Sequence, residues 1–220
     1  MTRDDLMERV KKGDVLSEID CRGLDCSGVD MAGRIFEKVD FSGANISHAK
    51  LDGCVFSHCR LVGAELSYAS IQSATFASSD LSSVSLRSCH MSNTQFIEST
   101  LDNANLSETD LSHANIVDCV LQRSNFSGTN LTFATLAKSN LAASVFNKAK
   151  LERTSFLEVT LEESDFRGAH MKQPIFQKPS LKGHDFSSMD LTLAQFREAD
   201  LSQCDFSGAN LTQTSFMPMV

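Results

Sequence analysis

The chain of 220 residues has no tryptophan, a single tyrosine (Tyr68) and three prolines. It has no run of about 20 apolar residues and its N-terminal stretch is charged, which excludes a membrane-crossing helix and a classical signal peptide. Its seven cysteines are odd in number and form no C-x-x-C pair, so they do not read as a disulfide framework and they fit a reducing compartment. The six histidines are dispersed and gather no third ligand for a metal. No glycine loop of the phosphate-cradling kind occurs. These absences predict no catalytic residues, no metal and no cofactor.

What is present is a repeat. From Met31 to Phe216 every fifth residue is Leu, Phe, Ile or Met, 38 consecutive positions without a slip. Two residues before this centre, 33 of the 38 units carry Ala, Ser, Thr, Cys or Val, as in Ala104-Asn105-Leu106 and Thr109-Asp110-Leu111. Residues two apart in an extended segment share a face, so the small residue and the large centre point inward and the residue between them points out. The remaining two residues turn the chain. Ten of the eleven glycines, among them Gly23, Gly63 and Gly168, fall on the second turn position. Glycine meets at no steric cost the positive φ that a type II turn needs there. A helix fails as the alternative, because steps of about 500° would scatter the centres around its circumference.

A second period of twenty underlies the first. Phe recurs at 36, 56, 76 and 96, then at 156, 176, 196 and 216, with another series from Phe126 to Phe206 and a Leu column from Leu61 to Leu201. Four units per coil predict a square cross-section with like residues stacked coil upon coil. At about 4.8 Å per coil the rod is about 45 Å long. The cysteines obey the frame: Cys21 and Cys26 are centres, and Cys54, Cys59, Cys89, Cys119 and Cys204 take the small inward position, where cysteine acts as a small hydrophobe.

Over residues 16–217 the chain resembles pentapeptide-repeat proteins. The resemblance implies an all-β fold, a right-handed quadrilateral β-helix, with a filled interior and no obvious pocket. Residues 1–15 read as a short helical cap, with a start at Thr2 and Asp5, an apolar face of Leu6, Met7 and Val10, and a stop at Gly13. Such a cap covers the open end of a solenoid. Residues 218–220 are a tail, and the C-terminal coil lacks a matching cap. The apolar end formed by Leu211, Phe216, Met217 and Met219 therefore predicts a homodimer through that coil, or continuation into a longer protein. Pro174, Pro179, His184 and Met189 replace small inward residues and predict widened coils, as a binding bulge or as relieved strain. Arg34 is a similar exception, expected to point to solvent near the cap.

With no chemistry inside, function is expected on the surface, in a non-enzymatic protein-interaction module. Outward apolar residues beside the first Phe column, Ile35, Val55, Ile97, Val117, Leu157 and Ile175, form a candidate partner stripe. The opening stretch from Asp5 to Asp14 resembles pentapeptide-repeat domains of type VI secretion accessory proteins. That likeness implies a bacterial, cytoplasmic module that recruits or loads secretion components, with specialised export left open. The alternative is a regulator that mimics DNA with an acidic rod and binds DNA gyrase. The net charge of −8 favours it, but neutral residues and Arg60 interrupt the outward acids, and the loop insertions of gyrase-protecting members are absent. Neither reading involves direct nucleic-acid binding or a membrane span.

Overall fold

The computed structural model describes residues 1–13 and 15–217. Helix α1 (Arg3–Lys12) begins at a capping box, in which the Thr2 side chain accepts from the Asp5 N–H and the Asp5 carboxylate accepts from the Thr2 N–H. It ends at Gly13, whose φ of 77° places it in the left-handed region. Leu6 and Val10 are buried on the first coil, and Met7 packs against the core, so the helix covers the end it was expected to cover.

Eleven short strands follow: β1 (Leu16–Ser17), β2 (Ile35–Glu37), β3 (Val55–Ser57), β4 (Thr75–Ala77), β5 (Gln95–Ile97), β6 (Asn115–Val117), β7 (Thr135–Ala137), β8 (Ser155–Leu157), β9 (Ile175–Gln177), β10 (Gln195–Arg197) and β11 (Ser215–Met217). They form one parallel sheet in sequence order, each strand pairing with the residues twenty further on, such as Phe56 with Phe76. This sheet is face A. Three further faces, B, C and D, carry single parallel bridges at the same spacing, for example Arg60 to Asp80, Glu65 to Ser85 and Ser70 to His90. The chain thus winds as a four-sided β-solenoid whose walls are built from the five-residue unit.

The centres line the interior. Phe56 and Phe76 stack with ring centroids 4.7 Å apart, and Phe126 and Phe146 with theirs 4.9 Å apart. Edge-to-face contacts such as Phe146 on Phe156, at 6.1 Å and 88°, link the columns. Each fully buried ring or aliphatic chain contributes about 1.5–3 kcal/mol of transfer free energy.

The corners are not all alike. At the corners entering faces C, D and A the fourth residue's N–H returns to the centre carbonyl, as from Ala64 to Leu61 (3.0 Å), Ala69 to Leu66 (3.0 Å) and Cys54 to Leu51 (3.1 Å). The corner from A to B is an open bend without that bond. There the inward side chain of the next coil accepts instead. Cys59 N–H donates to Ser79 Oγ (3.0 Å), Ser79 N–H to Ser99 Oγ (3.1 Å) and Cys119 N–H to Ser139 Oγ (3.0 Å). The expectation of one turn type per unit is therefore corrected: three corners of a coil close a backbone bond, except at Pro174, and the fourth does not. From Cys59 to Cys119 the N–H of that fourth corner donates instead to an inward side chain of the next coil.

The second corner residue has positive φ throughout. Besides the glycines, thirty other residues adopt it, and none of them is Val, Ile or Thr. Branching at Cβ makes the left-handed region most costly, so the frame excludes those residues from that position.

Candidate interaction surfaces

Among the described residues no group of His, Cys, Asp and Glu side chains converges as a metal site, and no helix is long and apolar enough to cross a membrane. Six of the seven cysteines are buried and Cys204 is partly so. Burial pushes the Cys54, Cys59 and Cys119 thiols up to about 11. These groups stay as thiols at neutral pH and are poor nucleophiles.

The outward acids have a local task. Asp20, Asp25, Asp80, Asp110 and Asp205 each accept a hydrogen bond from the N–H two residues on, at 2.8–3.1 Å. Asn45, Asn105 and Asn125 do the same with their amide oxygen. This is the Asx geometry, and it holds the first turn residue of the corner. The side-chain hydrogen bond from Arg22 holds the Asp20 carboxyl below its ordinary range, and the Ser27 N–H does so for Asp25. Acid and amide serve this corner equally well, so the positions do not select for charge.

The six residues of the apolar stripe fall into two columns on face A. Ile35, Val55 and Ile175 occupy the outward position before the centre; Ile97, Val117 and Leu157 occupy the one after it. Only the second group is continuous. Ala77, Ile97, Val117, Ala137 and Leu157 are paired one coil to the next with no polar residue between them. Val120 adds apolar surface round the open corner. Ile35 is the most exposed of the six but lies near the cap, coils away from that run.

At the other end the last described coil exposes apolar side chains. Leu211, Phe216 and Met217 are 37, 48 and 53 % exposed. Met219 lies outside the described residues. Arg34 departs from expectation. It is only partly exposed; its Nε is buried with no hydrogen-bond partner among the described residues, and its guanidinium lies against Gly13 at the end of α1. The cap draws it in rather than leaving it in solvent.

The irregular segment opens a wedge. Bridges run unbroken on face B from Thr160 to Ser180 to Asp200, but Asp165 and Asp185 on face C and His170 and Asp190 on face D do not pair. The Phe146 and Phe186 N–H groups reach the next coil at 2.7 and 2.8 Å, whereas the Phe166 N–H does not. On face A Phe176 and Phe196 stay 5.2 Å apart; opposite, on face C, Phe166 and Phe186 separate to 6.2 Å. The cause is side-chain size at the small inward position. His184 fills the gap on face C, with Nδ1 2.8 Å from Leu181 O and Nε2 3.0 Å from Leu161 O, and Met189 fills it on face D. Of the two prolines, Pro174 removes a corner bond of the kind Ala194 makes to Leu191 at 2.9 Å. Pro179 sits at the open corner, where no such bond exists to lose. Shallow grooves of about 400 Å³ on face C and 440 Å³ on face D mark the wedge.

Comparison with known proteins agrees with this architecture. The structure is similar to that of HetL from Nostoc sp. strain PCC 7120, a pentapeptide-repeat protein involved in heterocyst differentiation regulation, at 23 % identity over 99 % of this chain and 98 % of that one, with a TM-score of 0.52. QnrB1, a plasmid-mediated fluoroquinolone resistance protein, matches at 20 % identity over 89 % of each chain with a TM-score of 0.42. Among curated proteins none matches the sequence. The family description "Pentapeptide repeat region" matches residues 29–106, 69–146 and 89–166, and "Pentapeptide repeats (8 copies)" matches 180–216. With matches spread over most of its length and a four-sided coil beneath them, the chain belongs to the pentapeptide-repeat family.

Proposed function

We propose that the chain is a non-enzymatic protein-interaction rod whose partner binds face A along the continuous apolar run. The observation that carries this reading is the unbroken sequence Ala77, Ile97, Val117, Ala137 and Leu157 on a flat parallel sheet. A rigid row of apolar side chains at one coil spacing suits a partner that lays apolar residues along it. Of the remaining stripe residues, Val55 and Ile175 flank the interface at its ends, and Ile35 lies apart from it near the cap. The last described coil with Leu211, Phe216 and Met217 pairs two copies end to end, burying core that the fold leaves open. Recruitment of secretion components of the type VI kind remains the pathway suggested by the stretch before the repeats.

Replacing Ile97 and Val117 together by Asp is expected to leave folding intact and abolish partner capture from host extract. Capture unchanged by the pair of substitutions would defeat the face A reading. Inhibition of gyrase supercoiling by the wild-type protein would instead favour the DNA-mimic alternative. The Asx geometry weighs against that alternative, since its acids serve the corners.

A further inference from the structure

The corner between faces D and A carries planar side chains stacked over successive coils. The His113 and Phe133 rings are parallel, with centroids 5.1 Å apart. On the next coil the Arg153 guanidinium lies 5.3 Å from the Phe133 centroid, and its Nε–H donates to Gln173 Oε1 at 2.6 Å. Phe133 is 46 % exposed and has a φ of 62°. Of the thirty non-glycine residues with positive φ only Tyr68, Phe133, Ala143 and Leu193 are apolar. The corner's backbone does not ask for a phenyl ring there, and the core does not bury it.

The surroundings of this ring are cationic on an acidic chain. Lys148, Lys150, Arg153 and Lys172 are exposed, and among the described residues none forms an ion pair, whereas Arg22, Arg87 and Arg167 do. A groove of about 310 Å³ is lined by Thr132, Phe133, Arg153 and Lys172. It adjoins the face D side of the wedge, where His170 and Lys172 line the opening. There the Met171 N–H lacks the bond to the next coil that Leu151 makes to His170 at 2.8 Å. Two acids, Glu152 and Asp190, also line these grooves.

We propose that this corner and the adjoining part of face D dock an acidic polypeptide segment that carries an aromatic side chain. Carboxylates meet the four unpaired cations and the free backbone donor of the wedge, while an aromatic ring packs on the exposed edge of Phe133. Nucleic acid fits less well. The basic area is small, and the net charge of −8 repels a polyphosphate beyond it. The site is separate from the apolar run on face A, which lies along the opposite edge of that face.

The test is fluorescence anisotropy at low salt with a labelled random copolymer of glutamate and tyrosine, set against polyglutamate and oligothymidylate. Wild-type protein is expected to bind the copolymer most tightly. Phe133→Gly, which installs the residue that ten other corners already use, and Lys150→Glu with Lys172→Glu should each weaken binding by about tenfold or more. Circular dichroism should be unchanged in all variants, and Ile97→Asp with Val117→Asp should bind as wild type. Equal affinity for polyglutamate and copolymer, no binding of either, or tighter binding of oligothymidylate overturns the proposal. So does charge-dependent self-association of the rod that excludes the copolymer.

Discussion

The coils from Leu51 to Thr160 and those from Leu161 to Asp190 share one five-residue frame, yet they stack differently. In the first region every face is bridged and the Phe56–Phe76 and Phe126–Phe146 pairs stay within 4.9 Å. In the second, faces C and D come apart while face A holds its register between Ile175 and Gln195. The difference teaches that the centre and the small inward residue have separate duties. The centre fills the coil; the small residue sets how closely one coil approaches the next. His184 and Met189 leave the centres untouched and still open the rod, because a solenoid coil touches only its neighbours and cannot share the strain widely.

Three experiments would break or sharpen this contrast. The largest effect is expected from truncating a ring in the regular stack. Phe76→Ala should cost about 3–5 kcal/mol in urea unfolding, since the buried site cannot collapse around the void. Phe216→Ala, at the half-exposed end, should cost about 1 kcal/mol or less. Equal losses would mean that the last coil is covered in solution, as a dimer through that end requires.

A smaller effect is expected from repairing the wedge. His184→Ser with Met189→Ala restores the small inward pattern, and the amides of Phe166 and Asp185 should then gain protection from hydrogen exchange towards that of Phe146. Each restored backbone bond contributes about 0.5–1.5 kcal/mol, so protection should rise by up to about tenfold. Unchanged exchange would assign the wedge to Pro174, and Pro174→Ala would then be the variant that closes it.

The smallest effect concerns acid. Hydrogen bonds from Ser187, Thr192 and Ser207 hold the carboxyls of Asp185, Asp190 and Asp205 below their ordinary value of 3.8, as that from Arg22 does for Asp20. A carboxyl depressed in the folded state stabilises the fold above its unfolded pKa, and that contribution is lost as pH falls through the folded value. Asp20 lies in the first coil, and Asp185, Asp190 and Asp205 lie in the wedge and the coil beyond it. As pH falls below about 4, the first coil and the coils from Asp185 onward should therefore lose exchange protection before the coils around Leu81 and Leu101 do. Simultaneous loss throughout would show that the rod titrates as one unit.

Much of the architecture was legible because the frame repeats without a slip. The side count of the coil could be read from Phe36, Phe56, Phe76 and Phe96, and the cap from Thr2, Asp5 and Gly13. The inward placement of the cysteines followed from their position in the unit. The apolar stripe was read only in part. Positions before and after a centre both point outward, and without strand register Ile35 and Val117 seemed to lie along one line. The basic aromatic corner was missed. Its members, His113, Phe133 and Arg153, are twenty residues apart, and each taken singly is an ordinary surface residue. Reading corner positions down the twenty-residue column, as was done for the centres, would have found it.

By itself the sequence determined which side chains face inward, where each corner falls and how many corners make a coil. Those features follow from alternation along an extended chain and from the backbone freedom of one residue in five, both of which are local. Only the tertiary structure decided which corner closes without a backbone bond, how far His184 and Met189 part the coils, and which outward side chains stand beside one another. Those outcomes depend on the distance between residues twenty apart in the chain, which is set when one coil settles on the next and competing side-chain sizes reach their compromise.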